Sequence, residues 1–224
     1  MGATFYLCAS HHSRNRAGQE LLREITRPLG RAFRACHIGC FHGDDARWAG
    51  VTTRYLESLG AVVSSPRLSD ARLDCGAARA AIEEAEFLYL DGGDTVAGME
   101  HIRARGLLEA FGAAARTAQV VFGLSGGACA AAPYTIGYDA RGRPYVAECL
   151  GIGAPLPLDV HDEAEDWPEM RALLELRPRE QAGIVIPTDA VLRVGTRGGL
   201  ASHGAPACEL RCLASDGSWR RERL

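Results

Sequence analysis

The stretch VVFGLSGGACAAA, Val120 to Ala132, sets a serine between glycines after an apolar run and before a run of small residues. Such a pattern predicts a buried strand that turns sharply into a helix, with Ser125 at the turn. Outward from it, the apolar or β-branched runs TFYLCAS, RACHIGC, GAVVS and EFLYL alternate with GQELLREITRPLGRAF, RWAGVTTRYLESL and CGAARAAIEEA, which carry helical spacing. Alternation of this kind predicts an α/β fold: a three-layer sandwich with a mostly parallel central sheet and helices on both faces. Ligands in such folds sit at the carboxyl ends of strands, where Ser125 falls. After Pro155 the rhythm changes. PLPLDVH, a helix from about Glu165 to Leu176, and then AGIVIP, AVLRVG, GLASHG and ACELRCLAS predict a β-rich C-terminal part, largely antiparallel.

A chain of 224 residues with 47% hydrophobic residues is long enough for one substantial core, and we expect a single domain spanning residues 1–224. The formal charge of −3 provides no basic field for a phosphate backbone, so nucleic acid is not an expected partner. The sequence contains no Lys, which excludes Schiff-base chemistry and a Walker lysine. No apolar run approaches a membrane span and the N-terminus lacks a basic leader pattern, so the expected location is the cytoplasm, with no membrane partner. CHIGC (Cys36, Cys40) and CELRC (Cys208, Cys212) resemble halves of a metal site that His37 or His42 could complete. Read as strands, they place residues four apart roughly 13 Å from one another, too far to share a zinc, so buried reduced thiols and no metal are expected.

Gly123-Leu-Ser125-Gly-Gly127 fits G-x-S-x-G. The strand-to-helix turn lifts a serine hydroxyl into the open, and the Gly126 amide at the helix N-terminus points where an oxyanion would form. The motif alone also fits a glycine-rich turn with Ser125 as helix cap. A second strand, EFLYL, runs into Asp91-Gly-Gly-Asp94-Thr95, where Gly93 can present another N–H and Asp94 or Thr95 can cap the next helix.

YLDGGDT with RARGLLEAF, FGLSGGACAAA, and PLPLDVHDEAED with AGIVIPTDAVLRV together resemble the peptidase E (aspartyl dipeptidase) and cyanophycinase-like serine peptidases, relatives of the class I glutamine amidotransferase fold. The resemblance covers Thr4 to about Val194. It implies a serine-type peptidase acting on a small peptide substrate, with N-terminal Asp as one preference, and with no metal or cofactor. It implies Ser125 as nucleophile, His161 as general base, and Gly93 and Gly126 as oxyanion donors. The orienting acid of the family falls at Thr188 here. Asp189 beside it is the first candidate for that role, and Asp139 in YTIGYDARG is the second, as acid or substrate contact. SGGA replaces the family's usual SAGA.

Two rival readings stand beside this one. An α/β-hydrolase esterase would use Ser125, Asp189 and His203 in that order. A non-catalytic small-ligand binder would keep the turn and lack the acid. His11 and His12 follow the first strand, and Arg141 and Arg143 lie in a polar turn; solvated loop positions are the simpler account of all four. Cys129 is read as helix packing.

Overall fold

The computed structural model describes residues 2–10, 16–177, 181–204, 206, 208–213 and 219–224; His11 and His12 lie outside them, as does the Cys212 side chain. The elements are, in chain order, β1 (Thr4–Cys8), α1 (Arg16–Thr26), β2 (Phe33–Ile38), α2 (Ala46–Ser58), β3 (Ala61–Ser64), α3 (Cys75–Glu83) and β4 (Phe87–Leu90). There follow α4 (Thr95–Ala104), α5 (Leu108–Thr117), β5 (Val120–Leu124), α6 (Gly126–Ala130), the hairpin strands β6 (Tyr134–Tyr138) and β7 (Pro144–Glu148), and β8 (Leu158–Val160). The last part comprises α7 (Pro168–Leu176), β9 (Ala182–Ile186), β10 (Ala190–Val194), β11 (Leu200–Gly204), β12 (Glu209–Leu213) and β13 (Trp219–Arg223).

Seven strands form the central sheet in the order β11-β10-β1-β5-β4-β2-β3. The five from β1 to β3 run parallel, and β10 and β11 add antiparallel at one edge. Parallel strands covered on both faces must be apolar on both. Along β4, Phe87 and Tyr89 pack with Leu22 of α1 and Leu56 of α2, while Leu88 and Leu90 face Ile82 of α3, Met99 and Ile102 of α4 and Phe111 of α5. Aspartates set the helix starts: Asp45 accepts from the Arg47 and Trp48 N–H groups, Asp74 from those of Gly76 and Ala77, and Asp94 from that of Ala97. The expected three-layer α/β fold is present.

The C-terminal part departs from expectation in two ways. A second sheet, ordered β13-β12-β9-β8, contains one parallel pair, β8 with β9, in addition to its antiparallel pairs. The predicted helix from Glu165 instead starts at Pro168, after a short 3₁₀ turn over Glu163–Glu165, because Asp166 and Trp167 both take left-handed backbone conformations (φ 58° and 62°) that no right-handed helix can contain. Asp166 is the anchor there. It accepts from Arg211 and Arg221 at 2.8 Å each and also pairs with Arg171, tying the segment after β8 to β12 and β13. Arg211 is only 1% exposed, so its charge depends on that carboxylate.

Among the described residues no helix is long and apolar enough to cross a membrane. Asp166→Asn keeps a residue that tolerates the left-handed conformation but removes the anion. The expected loss is up to about 3 kcal/mol, at the lower end for a broken buried pair because Asp166 is half-exposed, and chemical denaturation of both proteins measures it.

Candidate active site

Leu90 of β4 lies in register with Gly123 of β5, so the carboxyl ends of these adjacent parallel strands deliver Gly92–Gly93 and Ser125 to one place. Ser125 has φ 47° and ψ −116°, a conformation that costs a non-glycine residue of order 1–3 kcal/mol. Hydrogen bonds hold it there. Its N–H donates to the Cys8 carbonyl at 2.8 Å, and its own carbonyl accepts from Ala128 and Cys129, starting α6. A Cβ on Gly126 would stand 2.1 Å from the Gly93 carbonyl oxygen, and Thr95 Oγ1 donates to the Gly126 carbonyl at 3.1 Å. The two glycine segments are therefore in direct backbone contact. Gly93 itself has φ +135°, open to glycine alone in practice.

His161 reaches the serine from the second sheet. It follows β8 directly and has φ 51°, its N–H donates to the Ile186 carbonyl at the end of β9, and its Nε2 lies 3.0 Å from Ser125 Oγ. Both line a cavity of about 590 Å³ together with Gly93, Gly126, Tyr138, Asp159, Asp162 and Glu169. Among the described hydrogen bonds the His161 ring has only the one to Ser125. The Asp139 carboxylate instead accepts from the Arg141 and Arg143 backbone N–H groups and pairs with the Arg143 guanidinium at 2.7 Å, closing the β6–β7 turn. Asp189 is exposed in the turn between β9 and β10 and makes no hydrogen bond to His161. His203 sits on β11, three strands from β5, or roughly 14 Å at the usual strand spacing.

Three groups escaped the reading of the sequence. Glu163, two residues past His161, has its Oε1 bound by the Thr188 N–H at 3.1 Å and by the Thr188 hydroxyl. Burial opposes its charge, yet those bonds, with the nearby His161, hold its carboxyl below the ordinary value. Asp159 is buried behind the cavity; burial first, then the charges of Asp162 and Glu169, push it up to about 7 against the pull of N–H bonds from Val160 and Met170. The third group lies beneath the glycine loop. Asp91 Oδ2 accepts from His37 Nε2 at 2.9 Å and Thr52 Oγ1 at 3.0 Å and lies 3.4 Å from His42 Nε2, while Oδ1 accepts from the Gly92 N–H. Burial alone would raise the Asp91 pKa; these donors bring it far below the carboxylate range.

His37, His42 and Asp91 are close enough to hold a metal, as are Asp159, Asp162 and Glu169. In the first group the hydrogen bonds favour shared protons: His42 Nδ1 accepts the Asp45 N–H at 3.1 Å, which leaves its proton on the nitrogen that a metal would need. Cys36, Cys40 and Cys208 take no part in either group. Cys36 lies within β2, whereas Cys40 opens a 3₁₀ turn rather than continuing the strand, and both are buried free thiols, with burial pushing Cys36 up to about 12. Cys208 is likewise buried and free, and Cys129 is buried in α6.

The profile of peptidase family S51 matches residues 9–194, most of the chain. The chain belongs to peptidase family S51. It is thus a serine-type peptidase, and the expected relationship to peptidase E holds. Among solved structures, a peptidase from an acI-B1 Actinobacterium superposes with a TM-score of 0.75 at 18% identity, over 100% of this chain and 94% of that one. A putative peptidase E protein from Listeria monocytogenes EGD-e gives 0.65 at 14% identity, over 91% of this chain and 99% of its own. At such identities these likenesses speak for the fold. No curated protein matches the sequence.

Two outcomes are expected from this geometry. Gly126→Ala puts a Cβ against the Gly93 carbonyl and must push that loop away; a stability loss of about 1–3 kcal/mol and a roughly tenfold or greater drop in fluorophosphonate labelling should accompany the folded variant. Asp159 has a folded pKa raised to about 7 against ~3.9 unfolded, so its contribution to stability is full below pH ~4 and is lost as pH rises through about 7. The Tm of Asp159→Asn minus that of the wild type should therefore become more positive between pH 5 and pH 8.

Proposed function

We propose that this S51 peptidase hydrolyses short peptides through an acyl-enzyme on Ser125. The observation that carries the reading is the 3.0 Å contact between Ser125 Oγ and His161 Nε2 at a strained strand-to-helix turn, inside a cavity walled by Gly93 and Gly126. In this reading Ser125 Oγ attacks the peptide carbonyl carbon while its proton passes to Nε2. The Gly93 and Gly126 N–H groups take the developing oxyanion; neither donates a hydrogen bond elsewhere among the described residues. Collapse breaks the C–N bond, and His161 returns the proton to the departing amine. Water, deprotonated by the same histidine, then attacks the ester carbonyl and frees Ser125.

The charged side chains among the described residues lining the cavity, Asp94, Glu100, Asp159, Asp162 and Glu169, are all carboxylates. That supports a substrate whose ammonium group lies against this wall, as the amino terminus of a short peptide would. The preference for N-terminal Asp implied by the resemblance finds no cationic partner for the aspartyl side chain among these residues. The esterase arrangement is poorly supported, since His203 stands three strands away from Ser125.

A fluorophosphonate probe should label the wild type and not Ser125→Ala, with circular dichroism confirming that the variant is folded. His161→Ala should lower labelling and dipeptide turnover by several orders of magnitude, while His203→Ala leaves both near the wild-type level. The reverse ranking of the two histidines would favour the esterase, and a folded wild type that resists the probe would favour a binder. A dipeptide library containing Asp-X, neutral and basic N-terminal residues identifies the substrate.

A further inference from the structure

The family's acid position is occupied by Thr188, and neither Asp189 nor Asp139 bonds to His161, so the base is without an evident partner at the expected places. The topology supplies one from another direction. Strands β8 and β9 are parallel, with Val160 in register with Ile186, so the residues that follow them leave the sheet side by side. One segment carries His161 and then Glu163. The other carries Pro187 and Thr188. Each is tied to the other: the His161 N–H to the Ile186 carbonyl at 3.0 Å, and the Glu163 carboxylate to the Thr188 N–H and hydroxyl. The Thr188 side chain thus places an anion where a glutamate or aspartate at position 188 would itself have put one.

We infer that Glu163 is the positioning residue of the catalytic base, and that Thr188 is the clamp holding its carboxylate beside the imidazole. The charge has moved from one strand end to its neighbour and kept its place in space. Glu163 makes no hydrogen bond to His161 in the resting geometry, so it acts through its field, stabilising the imidazolium that forms when Ser125 gives up its proton. His161 is among the groups that hold the Glu163 carboxyl below its ordinary value, which reports the same proximity. Thr188 is suited to the task because a threonine hydroxyl and its own N–H can grip one oxygen together, and because the Ala190 N–H donates to the Pro187 carbonyl at 2.9 Å and so fixes the turn in which Thr188 sits. The inference rests on the hydrolase reading of Ser125 and His161.

The test follows fluorophosphonate labelling rate, and kcat and KM on a dipeptide identified by the library, in proteins checked for folding by thermal melts. Glu163→Gln is expected to lower labelling rate and kcat by about 10²–10⁴-fold with little change in KM. Thr188→Val should lower kcat by a smaller factor. Glu163→Gln combined with Thr188→Glu, which returns the anion to the other strand end, should recover at least about tenfold of the loss. Asp159, Asp162 and Glu169, the other acids facing the cavity near His161, are present in every protein compared, so the split between kcat and KM and the rescue report on Glu163 alone. Wild-type rates in Glu163→Gln, or a loss carried wholly by Asp189→Asn, would overturn the inference while leaving the hydrolase intact. So would a fall in kcat that Thr188→Glu does not rescue, which marks a merely structural residue. A wild type that does not react with the probe overturns the hydrolase reading and this inference together.

Discussion

Everything at the catalytic end of the molecule depends on two backbones touching. The Gly93 carbonyl and Gly126 pass so close that no side chain fits between them, and that contact exists because β4 and β5 are adjacent and parallel. With the two strand ends fixed, Ser125 cannot relax out of its positive-φ conformation without separating the glycine segments or breaking the bond to Cys8. The strain of order 1–3 kcal/mol is thereby held by the central sheet rather than by the loop. The same reasoning extends downward: Asp91 takes the Gly92 N–H with one oxygen and the buried His37 and Thr52 with the other, so the loop is anchored in the sheet as well as against its neighbour.

His161 is held by different means. His161 belongs to the smaller sheet, and its position follows from the parallel pairing of β8 with β9 and from the Asp166 network that secures the following turn. Serine and histidine are therefore parts of two separately hydrogen-bonded sheets, and their 3.0 Å contact measures how those sheets are docked.

The sequence made the central sheet readable because each parallel strand is apolar on both faces and each helix carries its own spacing. Ser125, Gly93, Gly126 and His161 were readable for a related reason: each lies within three residues of the end of a recognisable strand, so their meeting at the carboxyl ends is a consequence of topology. The start of α7 was obscured because backbone handedness at Asp166 and Trp167 leaves no mark on hydrophobic spacing. The β8–β9 pair was hidden too, since parallel and antiparallel partners have the same alternation within a strand. Glu163 stood in an acid-rich stretch, HDEAED, where nothing local separates one carboxylate from another. Its distinguishing partner is Thr188, 25 residues on, and only the register of two strands connects them. The Asp91 group is similar, with His37 lying 54 residues away from its acceptor.

The position of β10 has a consequence for how the chain is made. β1 pairs with β5 on one side, and its other edge is covered by β10, which begins only at Ala190. A nascent chain that has already assembled β1 to β5 carries Ser125 on a sheet whose β1 edge is still open to any passing strand. His161 is not yet attached, since it is 36 residues farther along. Closure of that edge by β10 and delivery of the histidine come from the same late segment, joined through Pro187 and Thr188. A ribosome-bound intermediate therefore lacks the Ser125–His161 contact at the stage when its β1 edge is open to mispairing, and both conditions end once the later strands have arrived.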